Sequence, residues 1–230
     1  MATCLESINR DVPFMLDEEW LLERLHCSRA HLLFQRSIEL YGQYVDAFAP
    51  ACLLRVHEIG NRTSGSVEVG GCIFTSKVAA HQLQDVKQVF VYLATCGRSI
   101  GDLINLTADQ LDRYLLDNLA YAAYLQAMQA VSHELQHRFG LKKYRILCPG
   151  SVPDWSVGQV KLLFRLLDGL YQQLDLRVLD SGMIDPIKST AGLIYGTEDS
   201  FESCAICSRR ICEGRRVPFD PLLHKSMTEL

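Results

Sequence analysis

Apolar residues between Leu21 and Phe48 (Leu21, Leu22, Leu25, Leu32, Leu33, Ile38, Tyr41, Val45, Phe48) recur at mostly helical spacing. Pro50 closes the run and the acidic Asp17-Glu18-Glu19 opens it, so one long helix is expected there. Cys52 to Ile59 is short and largely apolar, and reads as a strand. Val67 to Phe74 alternates and then meets the pair Gly70-Gly71, which predicts a strand with a bend or bulge. Val78 to Leu83 fits a short helix, and Val89 to Thr95 is the clearest buried strand.

The clearest helix comes next. Thr107 and Gln110 have capping-box spacing. Leu111, Tyr114, Leu115, Leu119, Ala122, Leu125, Met128, Leu135 and Phe139 then hold one face, and Gly140 supplies a stop. At about 1.5 Å per residue such a helix spans roughly 50 Å, a length that suits a helix laid across a broad sheet. Tyr144 to Cys148 reads as extended, and Val157 to Leu174 as a second helix with Val160, Leu163, Phe164, Leu167 and Leu170 inward. Leu176 to Leu179 and Gly192 to Tyr195 look like strands around a polar turn, Asp180 to Thr190. With no internal repeat or linker, residues 1–230 are expected to form one α+β domain.

Composition narrows the classes. A chain that is 48% hydrophobic can bury a core without disulfide staples. The formal net charge of -4 argues against nucleic acid as a partner. No stretch approaches the roughly 18 apolar residues of a membrane span. The first residues carry Glu6, Arg10 and Asp11 and no apolar run, so a cytoplasmic location is expected. Of nine cysteines, Cys4, Cys27, Cys52, Cys72, Cys96 and Cys148 lie singly, as buried reduced thiols would.

The other three, Cys204, Cys207 and Cys212, fall within nine positions, among Arg209, Arg210, Arg215 and Arg216. Positive charge favours the thiolate, the form that binds metal or reacts. A structural zinc takes four ligands, so the fourth would come from Cys96, Cys148 or a distant histidine. An iron–sulfur cluster has the same need. A redox thiol set and plain packing residues are the other readings. His133 and His137, four apart near the end of the long helix, read as surface residues. Neither a GxxxxGK[ST] loop nor a G-x-G-x-x-G between strand and helix is present.

Two further segments are candidate ligand loops. In Pro149-Gly150-Ser151-Val152-Pro153-Asp154-Trp155, proline and glycine impose a tight turn that lets a ligand approach the backbone. Asp154 is placed to cap the helix that follows. In Asp185-Pro186-Ile187-Lys188-Ser189-Thr190-Ala191-Gly192-Leu193-Ile194-Tyr195, the lysine stands ahead of small residues, where it can line a cleft.

Taken in order, these segments resemble the activation domain of vitamin B12-dependent methionine synthase, and more closely its free-standing relatives in anaerobic bacteria. Pro149-Gly150-Ser151 with Asp154-Trp155 matches the family's Pro-Gly loop. Ser181-Gly182-Met183 through Pro186, Ser189 and Gly192 matches its Ser-x-x-Met-x-Pro-x-x-Ser-x-Ser-Gly pattern, and Glu202 through Pro218 matches the free-standing branch's Cys-rich tail. The match is strong over Arg145 to Asp220. Two positions differ: Arg145 stands five residues before Gly150 with Ser151 in place of a tyrosine, and Gln126 stands on the long helix where a glutamate is expected.

The resemblance implies a central, mostly antiparallel twisted sheet flanked by long helices. It implies S-adenosylmethionine in a shallow groove at the sheet edge. There the donor would touch Arg145, Pro149, Gly150, Ser151, Asp154, Trp155, Asp185, Lys188, Ser189, Gly192 and Tyr195, with no acid–base catalyst. The implied role is reactivation of an oxidised cobalt: an electron reduces cob(II), and the sulfonium methyl traps the product. The implied partners are a corrinoid-binding protein or cobalamin-dependent methyltransferase, which carries the cobalamin, and an electron donor such as ferredoxin or flavodoxin. Neither nucleic acid nor membrane is expected as a partner. An alternative is a non-catalytic module, bearing zinc or an iron–sulfur cluster at Cys204, Cys207 and Cys212, that docks on a corrinoid protein.

Overall fold

In chain order, β1 (Glu6–Asn9) precedes α1 (Glu18–Leu25), α2 (Leu32–Tyr44), β2 (Ala51–Arg62), β3 (Ser66–Val69) and β4 (Cys72–Thr75). Then come α3 (Lys77–Gln82), β5 (Gln88–Thr95), α4 (Arg98–Leu106), α5 (Gln110–Phe139) and β6 (Tyr144–Leu147). The chain continues through α6 (Val160–Leu166), β7 (Arg177–Val178), β8 (Ile184–Asp185), β9 (Ser189–Gly196), α7 (Ser203–Ile206) and α8 (Pro221–Thr228). The computed structural model describes residues 6–212 and 214–229; Cys4, expected as a buried thiol, lies outside them.

The main sheet runs β4-β3-β2-β5-β9-β6, with β1 also paired to β2, and every pairing is antiparallel. Side-chain alternation gives it two covered faces. Leu53, Val89, Val91, Leu93, Leu193 and Tyr195 point to a first face, covered by α3 and α6. Leu54, Phe90, Tyr92 and Ile194 point to a second, where Ala127, Val131 and Leu135 of α5 pack on them. The first half of α5 instead packs Leu115, Leu116 and Leu119 against Leu21, Phe34, Leu40, Ile100 and Ile104 of α1, α2 and α4. One helix of 30 residues, about 45 Å long, thus joins a helical cluster to the sheet.

Several boundaries differ from expectation. Residues 21–48 form two helices, because His26 takes a left-handed φ of 49° and the His31 ring accepts the Leu33 N–H at 3.2 Å to start α2. Gly70 and Gly71, both at positive φ, make a two-residue hairpin turn where a bend or bulge was expected. Asp109, not Thr107, caps α5 by accepting the Asp112 N–H at 2.8 Å; the Thr107 hydroxyl turns back to Leu103 O and closes α4. The helix expected over 157–174 is broken at Asp168 and Gly169, both at positive φ. Gly140, with φ 68°, ends α5 as read. Among the described residues, no helix is long and apolar enough to cross a membrane.

Candidate functional site

At the β9–β6 end of the sheet, Tyr121, Tyr124, Leu125, Met128 and Ser132 recur at helical spacing along one stripe of α5. Two hollows follow this stripe. The first, about 370 Å3, lies between Tyr121 and Tyr124, the turn Ile187–Thr190, and Arg209, Ile211, Cys212 and Gly214 of the C-terminal segment. The second, about 470 Å3, lies between Leu125, Met128, Gln129 and Ser132, the edge strand Tyr144–Ile146, and Glu202 and Arg216. Together they form a groove bounded by helix, sheet edge and C-terminal segment.

The Tyr121 and Tyr124 rings stack at 5.9 Å and 21°. Lys188 Nζ lies 5.4 Å from the Tyr121 centroid and 2.9 Å from Asp117 Oδ2, and the Arg24 guanidinium lies 5.3 Å from the same ring. Tyr121 is therefore an aromatic face already held in a cationic field. Beneath the groove, the Tyr92 hydroxyl lies 3.3 Å from Cys148 Sγ. Burial pushes the Tyr92, Tyr124 and Cys148 hydrogens to higher pKa, so all three stay protonated at neutral pH.

The C-terminal wall is held by two anchors. Phe201 and Ile206 sink into the first-face core. The Arg215 guanidinium donates to Cys204 O at 2.9 Å, to Cys207 O at 3.1 Å and to Arg209 O, folding the cysteine run around itself. Cys204 lies in α7, and Cys207 and Cys212 lie in the segment that follows it. Among the described residues, however, no group of three His, Cys, Asp or Glu side chains is placed to hold a metal ion.

The residues singled out in the sequence fall into separate places. Lys188, Ser189 and Arg145 line the groove, and Gly192 lies beneath its floor, where an added Cβ would stand 2.7 Å from Cys148 Sγ. Pro149, Gly150 and Ser151 form a turn closed on itself: Gly150 N–H donates to Trp155 O at 2.7 Å, and Ser151 Oγ to Cys148 O at 2.7 Å. Asp154 does not cap the helix that follows it. Its carboxylate accepts from Ser76 Oγ at 2.7 Å and Lys77 N at 2.5 Å, joining Ser76 in capping α3, while Ser156 caps the next turn. Trp155 is fully buried in the first-face core, edge-on to Phe74 at 5.7 Å.

Asp185 pairs with Arg98 and Arg177, each at 2.7 Å. Burial pushes its carboxyl up, but the hydrogen bonds from Arg98 and Arg177 outweigh this and hold it below the usual carboxylate range. Its role is to fix the turn that presents Lys188. Tyr195 faces the other side of the sheet and donates to Gln82 Oε1 at 3.0 Å, at a separate hollow of about 580 Å3. Gln126 is engaged elsewhere too: its amide accepts from Met15 N at 3.1 Å and donates to Met15 O at 2.5 Å. His133 and His137 are exposed, as read.

Tyr121, Tyr124, Thr190, Glu202 and Arg216 were not among the sequence candidates. Two aromatics at i and i+3 on the longest helix were a usable signal, and the β9 alternation puts Thr190 on the same face as Ile194.

No family model matches this sequence, and no curated protein does. Among solved structures, the chain is similar to the crystal structure of the MetH reactivation domain bound to AdoHcy. The TM-score is 0.63 at 12% identity, over 86% of this chain and 80% of that one. The likeness is one of fold: a mixed helix-and-sheet architecture with a central antiparallel sheet, as the resemblance implied.

Proposed function

We propose that this chain holds S-adenosylmethionine in the groove along α5 and serves as a free-standing, single-domain reactivation partner of a corrinoid-dependent methyltransferase such as methionine synthase. The observation that carries the reading is the fold shared, over 86% of the chain, with a reactivation domain that has AdoHcy bound. An open groove with stacked tyrosines at the sheet edge supports it.

The corrinoid belongs to the partner and supplies the methyl-accepting cobalt, with an electron from a donor such as ferredoxin or flavodoxin. This chain's contribution is positioning. Fixing a sulfonium methyl at the mouth of a groove replaces a rare encounter by a held geometry. The Tyr121 and Tyr124 faces suit the adenine ring, since Lys188 and Arg24 already place positive charge at Tyr121. Lys188 and Ser189 border this hollow, Arg145 borders the next, and the Pro149–Ser151 turn supports the strand that carries Arg145. Titration calorimetry with S-adenosylmethionine tests the reading. One saturable site is expected, weakened about tenfold by Tyr121→Ala; no heat at millimolar ligand would overturn it.

A further inference from the structure

We infer that Glu202 and Arg216 form a recognition site for a zwitterionic α-amino-acid group in the second hollow of the groove. This rests on the donor reading above and assigns each end of the donor to a hollow: the nucleoside to the tyrosines, the amino-acid end to the C-terminal segment.

The charge set is the first argument. Glu202 Oε2 and Arg216 Nη2 stand 2.9 Å apart at the rim of the 470 Å3 hollow, and Arg145 borders it from the edge strand. One carboxylate and one guanidinium complement one ammonium and one carboxylate. Arg145 pairs in register with Tyr195, so its side chain leaves the sheet on the opposite face, and it reaches the edge of the hollow where one Nη donates to Tyr144 O at 2.9 Å. Leu125, Met128 and Ile146 supply an apolar wall that suits the methylene chain of such a ligand.

Gln126, Ser151, Asp154 and Asp185, singled out in the sequence, line neither hollow. Gln126 spends its amide on Met15, and Ser151 its hydroxyl on Cys148 O. The Asp154 carboxylate faces α3, and that of Asp185 faces Arg98 and Arg177.

The second argument is fixation. Glu202 follows Phe201, buried in the core, and stands two residues before Cys204, whose carbonyl Arg215 holds at 2.9 Å. The cysteine run thus braces the segment that carries both charges, which is the preorganisation a specific site needs.

The test compares S-adenosylhomocysteine with 5′-methylthioadenosine, which keeps the nucleoside and thioether but lacks the amino-acid end. Calorimetry on the full chain should give at least tenfold weaker binding of methylthioadenosine by the wild type. Glu202→Gln and Arg216→Gln should each lower S-adenosylhomocysteine affinity about tenfold and leave methylthioadenosine within twofold. Arg216→Lys, which keeps the charge and loses the planar fork, should fall between. Unchanged melting temperatures separate loss of contact from loss of fold. Equal affinities for the two ligands, or variants that retain S-adenosylhomocysteine, would overturn the inference and leave the donor reading standing. A wild type that binds neither ligand would sink both.

Discussion

The Tyr92 hydroxyl meets the Cys148 thiol at 3.3 Å because Gly192, on the strand between them, has no side chain. A Cβ there would stand 2.5 Å from Leu147 O, 2.7 Å from Cys148 Sγ and 2.9 Å from the Tyr92 ring. Gly192→Ala is therefore expected to destabilise the protein by about 1–3 kcal/mol through overpacking. Urea denaturation measures this, and a change below about 0.5 kcal/mol would show that the floor is looser than described.

Asp185 links groove geometry to pH. Its folded carboxyl is held below the unfolded value, so its contribution is full above the ordinary carboxyl pKa of 3.8 and is lost as pH falls through the folded value. Asp185→Asn should cost roughly 2–3 kcal/mol at neutral pH, because Arg98 is left buried with part of its pairing gone. The gap between the two proteins should close in acid. Thermal melts between pH 7 and about pH 2 would show it, and a gap that stays constant to the acid end would contradict the ion-pair account.

Asp154→Ala separates scaffold from site. Loss of its bonds to Ser76 and Lys77 should lower stability by about 1 kcal/mol, as for other helix-start contacts. Donor affinity should not change, since the carboxylate faces α3. A tenfold loss of affinity at unchanged stability would return Asp154 to the binding surface.

The thiols divide by burial. Burial pushes Cys52 and Cys96 up to about 12, so they remain protonated and unreactive at pH 8. Cys204, Cys207 and Cys212 are only half-buried. Pulse alkylation with iodoacetamide, read by mass spectrometry, should label the three C-terminal thiols first and Cys52 and Cys96 only on unfolding. The raised pair also stabilises the fold fully below pH 9 and less as pH climbs towards 12, where ionisation favours the unfolded chain.

What could be read in the sequence follows from how local the signals are. The buried strand around Val91 and the long helix ending at Gly140 announce themselves by apolar runs, by period and by a stop residue. Helix α4 does not: it starts at Gly97 with φ 105° and no side-chain cap. It also carries Gly101, where a Cβ would clash with Pro186 at 2.3 Å, so its sequence answers to a neighbour distant in the chain. The groove was harder still. Lys188 and Arg145 could be picked out as charges beside turns, but Tyr121, Glu202 and Arg216 gain meaning only when α5, the sheet edge and the C-terminal segment converge. Asp154 shows the converse: a carboxylate before a predicted helix was bound instead to a helix start 77 residues upstream.

The central claim is that the donor lies along α5, and a crystal structure of the protein grown with S-adenosylhomocysteine tests it most directly. The account predicts ligand density with the adenine against Tyr121 or Tyr124 and the amino-acid end at Glu202 and Arg216. Density in the hollow beside Tyr195, or none at saturating ligand, would contradict it.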